Sequence, residues 1–142
     1  MKVYLAHKFE NQQAALLVQA ELEAEGITVL NPFQRKEQEQ YNKTITQDGG
    51  KFSDDACAEI VRADLALIDE CDAVLAMLSP NAIGTVMEIF YAAKLKQIPV
   101  VTWVLYKIAY RHPWIAHFSH DVYNHEDFVK ETIRLSTYFT NQ

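Results

Sequence analysis

What most limits the folds open to this chain is an alternation of two hydrophobic periods: short apolar or β-branched runs, and longer stretches whose apolar residues recur every three or four positions. Residues 3–6 form the first run, and Ala14, Leu16, Leu17, Ala20, Leu22 and Ala24 follow at helical spacing until Gly26. Ile27-Thr28-Val29-Leu30 reads as a second strand stopped by Asn31-Pro32. Ser53-Asp54-Asp55 can cap a helix carrying Ala56, Ile60, Val61, Leu65 and Ile68. Ala73-Val74-Leu75-Ala76-Met77-Leu78 is then continuously apolar, the pattern of a strand covered on both faces. A helix opening at Thr85 and running through Met87, Ile89, Ala92 and Leu95, a strand over residues 98–104, a short strand over 121–123 and a closing helix from about Glu126 to Thr137 complete the series. Residues 34–51 predict a mobile loop, and residues 105–119 an irregular aromatic segment.

Strands alternating with helices require parallel βαβ units, right-handed crossovers and a sheet covered on both sides. The expectation is an α/β fold: one domain over residues 1–142, a flavodoxin-like or Rossmann-like sandwich with a five-stranded parallel sheet. A hydrophobic content of 49% is enough for such a core.

Several function classes are disfavoured at this point. A net charge of −6 with 13 scattered Lys and Arg argues against a nucleic-acid polymer as partner, because that affinity comes from clustered cations. No run reaches the roughly 18 apolar residues that span a bilayer, and Met1-Lys2-Val3-Tyr4-Leu5 passes directly into polar residues, so the expectation is a cytoplasmic protein away from membranes. Cys57 and Cys71 lack metal-site spacing and read as reduced packing residues. His112, His117, His120 and His125 fall within fourteen residues but not at a helical ligand spacing, so no metal is expected.

Parallel sheets of this kind bind ligands beyond the carboxyl ends of their strands. That rule selects His7, Lys8 and Phe9, then Asn31 and Phe33, then Asn81 and Gly84, and the segment from Leu105 onward. Gly84-Thr85-Val86-Met87-Glu88 places a carboxylate in the first turn of a helix at the sheet mouth. There the macrodipole would hold it ionised, ready to attack an anomeric carbon. Thr85-x-x-Glu88 is equally the pattern of a capping box, with Glu88 satisfying only a backbone N–H. Asp64 is open to reading as an ordinary exposed helix residue, and Tyr4 as a core tyrosine.

Several motifs occur in order: Lys2-Val3-Tyr4-Leu5-Ala6, Asn31-Pro32-Phe33, the run from Asp64 through Asp72-Ala73-Val74, Gly84-Thr85-x-x-Glu88 with Tyr91-Ala92, and Pro99-Val100-Val101. Together they resemble the nucleoside 2-deoxyribosyltransferase family over roughly residues 2–104. The resemblance implies that Glu88 is the nucleophile, that Asp64 positions the sugar and the attacking carboxylate, and that the Tyr4 hydroxyl holds Glu88. It implies double displacement: Glu88 attacks C1′ of a 2′-deoxynucleoside, the base leaves, and a second base or water takes the sugar. A small-molecule nucleoside or nucleotide substrate, a homo-oligomer with shared pockets, and no metal or organic cofactor also follow.

Two departures from the family pattern bear on the reaction. Transferases of the family carry a proton-exchanging aspartate six residues before the nucleophile, where this chain has Ala82. The family's Ala-Gly-Pro turn is replaced by Ala6-His7-Lys8, whose potential positive charge would suit a 5′-phosphate. Relatives that hydrolyse deoxynucleoside monophosphates also lack the aspartate, which makes a nucleotide N-glycosidase the second expectation. A non-catalytic nucleotide-binding module is the third. Trp103, Tyr106, Tyr110, Trp114 and Phe118 read as a subunit interface or a base-stacking lid.

Overall fold

The computed structural model describes residues 1–34, 44, 49–107 and 111–141. Strands β1 (Lys2–His7), β2 (Thr28–Leu30), β3 (Ala73–Leu78), β4 (Val100–Val104) and β5 (His120–Val122) form one all-parallel sheet in the order β2-β1-β3-β4-β5. This is the flavodoxin-like order. Helices α1 (Gln12–Ala24), α2 (Asp54–Asp69), α3 (Ile83–Phe90), α4 (Pro113–Phe118) and α5 (His125–Thr140) flank it, and α3 continues as a π-helical turn over Tyr91–Lys96. Most of the stretch read as a mobile loop, residues 34–51, lies outside the described residues.

Alternation along β1 sorts the core into two layers. Val3 and Leu5 face the α1 and α5 side with Leu22, Leu75, Met77 and Phe128, while Tyr4 and Ala6 face the α2 and α3 side with Ile68, Val74, Ile89 and Ala92. β3 lies between β1 and β4, and all six of its residues are buried, as its unbroken apolar run requires. Asp72 ties the two central strands at their starts: its carboxylate accepts the Lys2 N–H at 2.8 Å and its own N–H donates to the Lys2 carbonyl at 2.8 Å.

Among the limits that differ from the sequence reading, three have a visible local reason. β4 begins at Val100 because Gln97 turns left-handed at φ 57° and Ile98 donates back to the Ala92 carbonyl, so the chain is still leaving the helix there. The aromatic segment contains α4, whose cap is His112 accepting the Trp114 N–H at 3.3 Å, with Pro113 at the first helical position. The helix around Glu88 starts two residues early, at Ile83 rather than Thr85.

The edge strand β5 is anchored by an ion pair. Arg111 donates to both carboxylate oxygens of Asp121 at 2.6–3.1 Å, and the Tyr123 hydroxyl donates at 2.6 Å. The Arg111 hydrogen bonds, helped by Tyr123, hold the Asp121 carboxyl down at about 2. A depressed carboxylate stabilises the fold fully above its unfolded value of about 3.9, and that contribution is lost as pH falls toward 2. Arg111→Ala is therefore expected to move acid unfolding, followed by circular dichroism, to higher pH. An unchanged acid midpoint would show that the pair contributes nothing.

Candidate active site

The chain leaves β1 toward β2 but leaves β3 toward β4, so the loops after these two adjacent strands diverge. A cleft of about 380 Å³ opens where they part. That volume falls within the range of small-molecule sites. One wall is the end of β1, with Tyr4, His7, Lys8 and Phe9; another is α2, with Ile60, Val61 and Asp64. The third is the β3–α3 connection from Asn81 to Glu88, and Pro32 and Phe33 close the side beyond β2.

Glu88, Asp64 and Tyr4 thus come to one cleft from α3, α2 and β1. Tyr4 is fully buried, and Asp64 and Glu88 are half-buried. One Glu88 carboxylate oxygen, Oε2, and the Tyr4 hydroxyl are shielded from solvent. The first-turn placement of Glu88 is corrected by the start of α3: Ile83 is its first residue, which makes Glu88 its sixth. The macrodipole acts mainly over the first turn, so it does little for this carboxylate. The capping-box alternative fails for the same reason, because Thr85 is buried inside the helix and Ala82 occupies the cap without a side-chain hydrogen bond.

The turn into α3 is made by Asn81 in the left-handed region at φ 63°, a conformation asparagine tolerates better than most residues. Asn81 and Gly84 are both exposed at the cleft. A Cβ on Gly84 would meet nothing within 4 Å, so the protein's own packing does not demand glycine there. Ala82 is buried on the same wall and brings no ionisable group.

His7 and Lys8 do not make the doubly positive corner expected of them. The His7 imidazole is only 4% exposed, and burial pulls its pKa down to about 4, so it is neutral at physiological pH. Its Nδ1 lies 2.9 Å from the Leu5 carbonyl, and its ring packs on Phe33 at 4.9 Å between centroids. Lys8 reaches across the cleft mouth and donates to the Pro80 carbonyl at 3.2 Å. Phe9 stands edge-on to Phe33 at 5.9 Å, which gives the cleft an aromatic side.

Asn31 does not border the cleft. It is buried, donates to Gln19 Oε1 at 3.2 Å and accepts the Phe33 N–H at 3.1 Å, so it holds the turn that presents Phe33. Ile60 and Val61 read in the sequence as apolar helix residues and not as part of the cleft, although Ile60 precedes Asp64 by one helical turn and so shares its face. The segment from Leu105 onward borders a separate depression with Trp103, Tyr106 and His125. The aromatics proposed as a lid are divided: Trp103 packs on Phe128 on one side of the sheet, whereas Phe118 packs on Phe90 and Trp114 on the other. Tyr110 lies outside the described residues.

The histidines outside the cleft have separate surroundings. His117 meets Phe118 edge-on at 4.8 Å, His120 lies 3.9 Å from Glu131, and His125 lies 3.0 Å from Glu21. Cys57 is exposed on α2, while Cys71 follows that helix and donates its S–H to the Leu67 carbonyl, burial pushing its thiol up to about 12. No described helix is long and apolar enough to cross a membrane.

Comparison with known proteins gives a consistent result. A profile of the nucleoside 2-deoxyribosyltransferase family matches residues 3–124. A 2-deoxyribosyltransferase of Bacillus psychrosaccharolyticus superposes with a TM-score of 0.54 at 20% identity, over 87% of this chain and 100% of that one. The CMP N-glycosidase BcmB of Clostridium botulinum superposes at 0.52 and 21% identity, over 98% and 99% of the two chains. At these identities the superpositions speak to the fold. No curated protein matches the sequence.

Proposed function

This chain belongs to the nucleoside 2-deoxyribosyltransferase family of enzymes, and from that premise we propose that it cleaves the N-glycosidic bond of a 2′-deoxynucleoside with Glu88 as nucleophile and transfers the deoxyribosyl group to a second nucleobase. The observation that carries the reading is the meeting of Glu88, Asp64 and Tyr4 in one cleft at the switch point of the sheet. A Glu88 oxygen forms a bond to C1′ as the C1′–N bond breaks, and the departing base keeps the electron pair and takes a proton from solvent. A nitrogen of the second base then attacks C1′, releasing the Glu88 carboxylate. Asp64 orients the sugar and Tyr4 steadies Glu88, while Phe9 and Phe33 offer flat apolar surface to a base.

A second reading rests on Ala82, which leaves that wall of the cleft without a carboxylate to protonate the departing base. It makes the chain a hydrolase of deoxynucleoside 5′-monophosphates, with water as the acceptor. Incubation with deoxynucleosides and their monophosphates, with and without an acceptor base, separates the readings by chromatography. Exchanged nucleoside supports transfer, and free base plus free sugar without exchange supports hydrolysis. No turnover in any combination leaves a nucleotide-binding module.

The protein is further proposed to work as a homo-oligomer. Ile83, Met87 and Leu95 are 76%, 65% and 64% exposed along α3 and its π-helical extension, with Val86 and Phe90 beside them. A second copy covering this stripe would also reach the cleft, because Ile83 forms part of its rim. Met87→Glu places a charge in that contact and is expected to shift the protein to a monomer in light scattering. A monomeric wild type, or an oligomer indifferent to Met87→Glu, would contradict the assignment.

A further inference from the structure

We infer that the proton taken up by the departing base reaches it through Lys8, whose ammonium gives the proton as the C1′–N bond breaks and regains one as the sugar is passed on. The inference rests on the reading of this cleft as a glycosidic site and adds the group that assists the leaving base.

A base that leaves with the C1′–N electron pair needs a proton, on the leaving nitrogen or on a ring acceptor conjugated to it. Few groups of the cleft can supply one. Ala82 has none to give, and Glu10, Asp64 and Glu88 are carboxylates, acceptors when ionised. Tyr4 is fully buried with its hydroxyl shielded from solvent, so a proton lost there would not be renewed between turnovers. The His7 ring is held neutral by burial, and its Nδ1 proton is directed at the Leu5 carbonyl 2.9 Å away, which can only accept. Among the described cleft residues, Lys8 alone combines a positive charge with a proton that water can replace, because it is only half-buried.

The ammonium is also held in place. Lys8 Nζ donates to the Pro80 carbonyl at 3.2 Å, two residues before Ala82, and has two further N–H groups to offer. Its backbone is tied to the same turn: the Lys8 carbonyl accepts the Asn11 N–H at 2.9 Å, and Asn11 Oδ1 accepts the Ser79 hydroxyl at 2.8 Å. The loops after β1 and β3 are thus joined twice, which positions the lysine at the cleft before any substrate arrives. Phe9, the next residue, stands against Phe33 on the aromatic side assigned to the base. In the first step an Nζ proton and the C1′–N electron pair both go to the base while Glu88 bonds to C1′. In the second, the N–H or O–H proton of the acceptor passes to the Nζ amine as its nitrogen or oxygen bonds to C1′ and the Glu88 carboxylate is released. One proton leaves Lys8 and one returns, so the same lysine serves transfer and hydrolysis.

The test compares the natural deoxynucleoside that the full chain cleaves fastest with analogues whose bases carry a halogen and then a nitro group, which leave more readily without a proton. Cleavage rates are measured for wild type, Lys8→Met and Lys8→Arg. Lys8→Met is expected to lower kcat/KM by about 10²- to 10⁴-fold on the natural substrate but by less than about 10-fold on the nitro analogue. Lys8→Arg keeps the charge without releasing a proton, and should stay at least about 10-fold below wild type on the natural substrate. A loss in Lys8→Met that is equal across the series, an unchanged rate on the natural substrate, or full activity of Lys8→Arg overturns the role of Lys8 and leaves the glycosidic reading standing. A wild type that cleaves no deoxynucleoside overturns both.

Discussion

Glu88→Ala is expected to lower glycosidic cleavage by at least about 10⁴-fold while leaving the melting temperature nearly unchanged. The two halves of that expectation come from different features. On the proposed mechanism no covalent intermediate forms without the carboxylate, and the C1′–N bond is left to direct attack by water or a base. The fold is spared because Ile89 of α3 and Ala92 of its π-helical extension are buried against the sheet, whereas Glu88 is half-buried at the cleft. Initial rates by chromatography and a thermal melt on the same preparation check both. A loss below about 10-fold would place the nucleophile elsewhere.

Phe128→Ala should do the reverse. Phe128 is fully buried on the α1 and α5 side of the sheet, where it packs on Trp103 at 5.6 Å and with Leu5, Leu22 and Leu75. Truncating a buried phenylalanine leaves a cavity and removes about 3–5 kcal/mol. Against the typical stability of about 5–15 kcal/mol for a domain, this is a large fraction, and a fall in melting temperature on the order of 10 °C follows. Activity per folded molecule should survive at low temperature, because the cleft is built mainly from the α2 and α3 side. Denaturant unfolding measures the loss, and a change below about 1 kcal/mol would contradict the packing of that layer.

The architecture was legible because its signals are periodic. The unbroken apolar run of β3 and the helical spacing of α1 and α2 survive any local detail, and together they dictate parallel crossovers. Element ends were less legible, since they depend on single backbone choices. Asn81 in the left-handed region starts α3 early and moves Glu88 out of the first turn, and His112-Pro113 starts a helix inside a segment dominated by aromatic residues. At the site, the rule about carboxyl ends of strands found the cleft residues His7, Lys8, Phe9, Phe33, Asn81 and Gly84. It failed for Asn31, whose hydrogen bonds to Gln19 and Phe33 are not visible in a linear pattern. The potential charge expected of His7 from the Ala6-His7-Lys8 turn is not realised, because the folded ring is buried, with Phe33, distant in the chain, packed on it.

In the proposed reaction a Glu88 oxygen becomes bonded to C1′. The direct measurement is intact-protein mass spectrometry after incubation with a slow 2′-fluorinated nucleoside, followed by peptide mapping. One glycosyl adduct per chain is expected, located on the peptide that contains Glu88, absent from Glu88→Ala and released by an acceptor base or water. Turnover of ordinary nucleosides with no adduct, or with an adduct on another residue, would contradict it.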